Sequence, residues 1–391
     1  MKISLLSIYR RWLLIALLFS GLSITASAQV SNDTTPVGPK ETSRKYVRLM
    51  FENDILQLRP NDIRDHDFTN GVRLDLMGNF WGKLPTRFLL LEFPEEPDRR
   101  KYDYLYSFSI GQEMYTPDSI ETTAILRDDR PYAGWLYMSS ALVTTDPVGK
   151  RKLTSSFGLG IMGPLSRSDS VQSFIHRIFG FTHPAGWGNQ IANDIGVSYA
   201  VRYEARLSPQ FHRAFDLIGM VEGHIGTVTN YIGTGVMLRI GQFNDYFQNA
   251  TGLYDSRLAT RLVAQPKLYS RMDSVKRERL DNSTEFKRLS KRLKRKPESF
   301  NNRRFQAYGF IRPIARAVLD NSFLQGGWTS RSRNVHIIPS EDIERFYVNV
   351  EYGGVLSFGQ LQLTYSQSFR TREFRQGKTQ QWGRLSLLFG F

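Results

Sequence analysis

The stretch from Phe51 to Gly71, FENDILQLRPNDIRDHDFTNG, gathers oxygen donors. Asn53 offers an amide carbonyl, Asp54 a carboxylate and Thr69 a hydroxyl, with Asp62, Asp65 and Asp67 close by. A hard cation such as Ca2+ takes about six to eight such oxygens in flexible geometry. Taken alone, the stretch reads as a polar loop of turn formers, so its meaning depends on what lies near it. A second stretch, RDDRPYAGWLY from Arg127 to Tyr137, carries Arg130, whose planar fork suits a phosphate. Its Tyr132, Trp135 and Tyr137 suit an interfacial aromatic girdle. A third runs from Gly163 to Ile191, GPLSRSDSVQSFIHRIFGFTHPAGWGNQI. Val171, Phe174, Ile175, Ile178 and Phe179 recur there at helical spacing, which predicts an amphipathic helix. Ser168 or Ser170 is expected to cap its start and Gly180 its end. Gln172 and His176 stand one turn apart on it, and His176 is one of only six histidines. An imidazole can take a proton from water near neutral pH, so His176 is a candidate general base.

Strands are expected to hold these loops. The chain ends in QWGRLSLLFGF, where Leu385, Leu387, Phe389 and Phe391 alternate with Arg384, Ser386 and Gly390. Period-two alternation is the strand signal. It recurs near 45–53, 71–80, 103–115, 133–144, 152–162, 195–207, 214–226, 230–242, 305–318, 343–355, 358–371 and 380–391. Strands of this length with a polar second face predict an all-β fold, an antiparallel transmembrane β-barrel of about twelve strands. With the N-terminus periplasmic, parity places the connections 54–70, 116–132 and 163–194 at the cell-surface end. All three candidate stretches lie on them, and the third puts a short amphipathic helix in an outer loop.

Composition agrees with export and a membrane. Lys2, Arg10 and Arg11, then the apolar run from Trp12 to Phe19, then Ala26-Ser27-Ala28, read as a signal peptide over 1–28. A lead-in at 29–44 and the barrel at 45–391 follow. Cysteine is absent, so no disulfide holds the fold. No later stretch is apolar and long enough for a membrane-spanning helix. Aromatic residues make up 13% of the chain although its mean hydropathy is −0.36, which fits a wall whose alternate residues face lipid. The net charge is +15. A basic insertion at about 243–304 carries most of the excess and is periplasmic by parity. It reads either as solvated chain or as a contact for an acidic partner. An exported protein is not expected to bind nucleic acid.

The motifs FEND…DFTNG, DRPYAGWLY and VQSFIHRIFG…PAGWGNQI together, in order and over most of the chain, resemble the outer-membrane lipid A 3'-O-deacylase family. The resemblance implies an integral outer-membrane barrel of twelve strands, a Ca2+ cofactor and a His-activated water. It implies hydrolysis of the 3'-linked acyl(oxyacyl) chain of lipid A, the lipid of lipopolysaccharide, in the outer leaflet. By motif, Asn53 and Asp54 are the metal residues, with Thr69 as ligand or support. His176 is the base, Gln172 its catalytic neighbour, and Arg130 a substrate-binding residue. A carboxylate that some relatives carry just after the helix is replaced here by Thr182 and His183. A monomer is expected. Two other readings stand: a Ser-His outer-membrane phospholipase using Ser168, Ser170 or Ser173, and a non-catalytic barrel such as a porin or adhesin.

Overall fold

A computed structural model describes residues 45–57, 67–94, 102–208, 214–254 and 302–391. The leader at 1–28, the lead-in at 29–44, Asp62, Asp65 and residues 255–301 of the basic insertion lie outside them. Among the described residues twelve antiparallel strands close into one barrel in chain order, the last pairing with the first. They are β1 (Lys45–Asn53), β2 (Asp67–Gly78), β3 (Asp103–Thr116), β4 (Ala133–Asp146), β5 (Arg151–Met162) and β6 (Asp194–Arg206). Then follow β7 (Phe215–Gly226), β8 (Thr229–Gln242), β9 (Phe305–Asn321), β10 (Phe346–Phe358), β11 (Leu361–Arg370) and β12 (Gln380–Gly390). Among the described residues two α-helices sit in the outer loops, α1 (Ser168–Phe179) and the single turn α2 (Ser322–Gln325). The expected strands are all present. β10 starts three residues later than its pattern suggests, because Ile343 leaves the ladder to bridge Phe374 in the next outer loop.

Parity assigns each side chain to one face of the wall. On β3 and β4, Ile110, Leu136 and Met138 are exposed, and on β10 so are Val348, Leu356 and Phe358. These face lipid, as a barrel in a membrane requires. Residues of opposite parity build a lumen of paired charges. Arg48 and Arg73 both hold Asp75, at 2.5 and 2.6 Å. Arg384 holds Glu52 and Glu351, and Glu351 also takes Arg312. Carboxylates and guanidiniums removed from water persist when each finds a partner with hydrogen-bonding geometry.

Both ends of the lumen are filled. At the outer end Tyr115, Trp135, Tyr137, Phe323 and Trp382 form one buried cluster, with Trp135 stacked on Tyr137 at 4.1 Å. At the periplasmic end the first part of the basic insertion, 243–254, turns inward. Leu253 joins Tyr46, Met77, Leu105 and Leu388 on one wall, while Phe247 joins Ile218, Met220, Met237 and Ile314 on the opposite one. Asp245 is anchored by Lys150 and Arg206, both at 2.6 Å. This part of the insertion is therefore a plug of aromatic and amide residues rather than a solvated periplasmic tail.

One connection runs over the outside. After β2, residues 79–94 lie on the lipid-side face of β3 to β6: Trp81 stacks on Phe108, Thr86 hydrogen-bonds Ser140, and Ser155 donates to the Leu91 carbonyl. Outward serines that would otherwise meet hydrocarbon are satisfied this way.

Candidate active site

At the outer rim, four neighbouring strands place one residue each in a single row: Asn53 of β1 opposite Asn70 of β2, Asn70 opposite Met114 of β3, Met114 opposite Gly134 of β4. By parity the row is on the outward face, yet it is buried. Asn53 is 6% exposed, Asn70 2% and Met114 1%. Helix α1 supplies the cover. A Cβ on Gly134 would come within 2.3 Å of the Ser166 and Ser168 hydroxyls, so only glycine lets the helix start this close to the wall. Val171 packs onto the cluster of Met114, Ile120, Tyr132 and Trp187, and Gln112 donates to the Ser166 carbonyl at 2.7 Å.

Helix α1 is amphipathic, but inverted. Ser168, Gln172 and His176, four residues apart, form its buried stripe, while Phe174 and Ile178 are more than half exposed. The apolar face points to the membrane side and the polar face to the wall. Gly180 ends the helix in the left-handed conformation, as expected. The expected serine cap is absent. Arg167 occupies that position with no side-chain cap, and Ser168 Oγ pairs with Ser166 Oγ at 3.0 Å.

His176 is held from behind. Its Nδ1 bonds the Thr182 backbone carbonyl, and Phe181 stands edge-on to the ring at 5.6 Å. A carbonyl can only accept, so Nδ1 carries the hydrogen and Nε2 the lone pair. That tautomer is the one a general base needs, and a backbone oxygen does the orienting. Gln172 is fixed likewise: Trp187 Nε1 donates to its Oε1 at 2.7 Å, which leaves Gln172 Nε2 as a buried donor with no hydrogen-bond partner among the described residues.

The oxygen side follows from the end of β1. Asp54 opens a 3-10 turn, Asp54–Leu56, and is 1% exposed. The turn is pinned outside the barrel where Tyr365 Oη and Gln367 Nε2 donate to the Leu56 carbonyl, at 2.5 and 2.8 Å. Thr69 is the extra residue of a β-bulge: Phe68 pairs with Tyr115 and Asn70 with Met114, so Thr69 has no opposite. Bulges re-aim strands beside functional sites. The Thr69 side chain itself lies outside the described residues. Among the described residues no three His, Cys, Asp or Glu gather as a metal cluster. The set here is one carboxylate among amide oxygens, and Asn70 Oδ1 is buried with no hydrogen-bond partner among the described residues. Hard oxygen donors of this kind fit Ca2+. Asn70, which the motif reading did not name, joins the candidate set. Its signal was the register that sets it opposite Asn53.

Arg130 is not brought to this site. It is 1% exposed, lies over the Tyr115 ring at 4.6 Å and pairs with Glu373 at 3.6 Å. Tyr115 belongs to the lumen cluster, so Arg130 stands on the other side of the wall from Asn53 and His176. Glu373 also takes Arg370 at 3.1 Å. Burial works against its charge, but Arg370 and Arg130 outweigh that and hold its carboxyl below the usual range.

The model of the family described as "Outer membrane protein LpxR" matches residues 13–391. The chain belongs to the LpxR family. It is an integral protein of the outer membrane. LpxR from Salmonella typhimurium has the same fold, with a TM-score of 0.61 at 17% identity over 88% of this chain and 100% of that one. The β domain of the Bordetella autotransporter BrkA scores 0.41 at 8% identity, over 89% of this chain and 99% of that one. No curated protein matches. Against the LpxR family's fold, the twelve strands and the short helix stand as expected from the sequence.

Proposed function

We propose that this LpxR-family protein is a Ca2+-dependent esterase that removes the 3'-linked acyl(oxyacyl) chain of lipid A in the outer leaflet, acting as a monomer after export on its leader. The observation that carries the reading is His176. It is buried on the wall-facing stripe of α1, its Nδ1 is fixed by the Thr182 carbonyl, and its Nε2 carries the lone pair. The site also opens to the correct medium, since α1 lies on the outside of the wall at the rim and exposes Phe174 and Ile178.

In this mechanism His176 Nε2 takes a proton from water, and the hydroxide adds to the ester carbonyl. The tetrahedral intermediate collapses with loss of the sugar oxygen, which regains the proton from His176. The products are a sugar hydroxyl and a fatty acid. Gln172 Nε2 is a neutral donor within the same stripe, suited to orienting water or the developing oxyanion. Asn53, Asp54 and Asn70, with Thr69, would hold the cation. When bound it would supply Lewis-acid polarisation of the ester carbonyl.

The rival readings fit less well. Ser168 pairs with Ser166, and Ser170 donates to Asp169, so both hydroxyls are engaged away from a nucleophile's geometry. A porin needs an open lumen, and this one is filled at both ends. The test is incubation of detergent-purified protein with defined lipid A, with Ca2+ or with EGTA, read by mass spectrometry. Loss of the 3'-linked chain with Ca2+ alone supports the reading. Unchanged lipid A under both conditions overturns it.

A further inference from the structure

The outward row that contains Asn53 continues in the other direction round the barrel. Asn53 is opposite Gly383 of β12, Gly383 opposite Gln367 of β11, Gln367 opposite Tyr352 of β10, Tyr352 opposite Ile311 of β9, and Ile311 opposite Leu238 of β8. Its last four members line a groove of about 480 Å³ on the lipid-facing wall. The groove exists because Gly309 and Gly354, a directly opposed pair on β9 and β10, have no side chains there. Elsewhere that face carries bulk: Phe305 is half exposed, and Leu356 and Phe358 more than half. A Cβ on Gly309 would meet nothing closer than 3.6 Å, and one on Gly354 nothing closer than 3.9 Å. Neither glycine is required by backbone strain or a close approach, so what they leave is space.

The groove's polar corner is already tied to the site. Tyr365 Oη and Gln367 Nε2 donate to the Leu56 carbonyl, two residues after Asp54. Neighbouring strands are about 4.8 Å apart, so the groove begins about 10 Å from Asn53 along the row. Strands tilt in such barrels, and a row perpendicular to them runs obliquely through the membrane. We infer that this groove seats an acyl chain of the lipid A molecule whose esters lie at Asn53 and His176. The inference rests on the proposed reaction for its choice of lipid. The glycine pair makes a track for one chain beside the wall and fixes the orientation of the sugar above it.

A lipid A bearing a photoactivatable diazirine on an acyl chain tests this with the full-length protein in mixed micelles. Labelled peptides are expected to concentrate on 305–321 and 346–370 rather than on the β5–β7 wall. Gly309→Val and Gly354→Val put side chains into the groove, and retained heat-modifiable migration confirms the barrel. They are expected to lower that labelling, and kcat/KM on lipid A, on the order of fivefold, since a chain leaving the groove finds equally apolar lipid. Even labelling round the wall, unchanged by either variant, means ordinary surrounding lipid and overturns the inference. Concentrated labelling without any deacylation by the unmodified protein would uphold the seat and overturn the hydrolase reading instead.

Discussion

The two faces of the wall use polar residues in opposite ways. On the lumen side Arg48, Arg73, Arg312 and Arg384 meet Glu52, Asp75 and Glu351 in ion pairs. On the outward side, buried amides are left with capacity: Asn70 Oδ1 and Gln172 Nε2 have no hydrogen-bond partner among the described residues. An unsatisfied buried polar atom costs about 1–3 kcal/mol, so a fold keeps one where something else completes it. Folding pairs the charges of the lumen, while the outward cleft keeps an amide acceptor and an amide donor beside a histidine, which a ligand can complete.

Removing the base should produce the largest effect. His176→Ala is expected to lower kcat on lipid A about a thousandfold, the upper range for losing a general base, with heat-modifiable migration unchanged. Product mass spectra against time give the number. Activity within tenfold of the unmodified protein would remove His176 from the chemistry and erase the contrast between the faces.

Arg130 tests the other face. Arg130→Met leaves Glu373 buried with one cation, Arg370, and the Gln380 amide, and breaking such a pair costs about 3 kcal/mol. The expected outcome is a lower melting temperature with kcat of the folded fraction within twofold. A selective rise in KM for lipid A at unchanged stability would return Arg130 to substrate binding.

Much of the contrast was legible in the sequence, and the rest was not for physical reasons. Alternation located every strand because lipid and lumen impose opposite chemistry on successive residues. The same parity put FEND, DRPYAGW and the His176 helix at one end of the barrel. It could not say that Arg130 and His176 stand on different sides of the wall, because Arg130 is in a loop, where alternation has no meaning. Asn70 was hidden for a related reason. A bulge at Thr69 breaks the count just before it, and only the register with Asn53 exposes the pair. The plug at 243–254 neither alternates nor repeats at helical spacing, so nothing local marked it as buried. Its clue was composition, Phe243, Tyr246, Phe247 and Leu253 at the head of a basic segment.

The oxygen donors should show an intermediate effect. Asn70→Ala removes a buried donor without touching His176, and is expected to raise the Ca2+ concentration for half-maximal activity about 10- to 100-fold. Calcium titration of the deacylation rate checks it. If the Ca2+ midpoint stays put while kcat falls, Asn70 serves water or substrate instead, and the unsatisfied oxygen was not waiting for a cation.

The smallest effect belongs to the lumen's floor. Burial disfavours the charged Asp245 carboxyl, but Lys150 and Arg206 outweigh burial and hold its pKa below the ordinary value. A carboxyl lowered on folding contributes stability that is complete above its unfolded value, near 3.9, and is lost as pH falls through the lower folded one. Amide hydrogen exchange across 243–254 should therefore be slow and level from about pH 8 to pH 5, after correction for intrinsic rates, and rise only below about pH 4. Asp245→Asn should raise that exchange at neutral pH and flatten its acid limb. Turnover at the outward site should stay within twofold, because the plug packs on lumen-facing residues at the periplasmic end. If Asp245→Asn changed turnover as much as exchange, the two faces would be one coupled unit, and the division between the lumen and the outward cleft would fail.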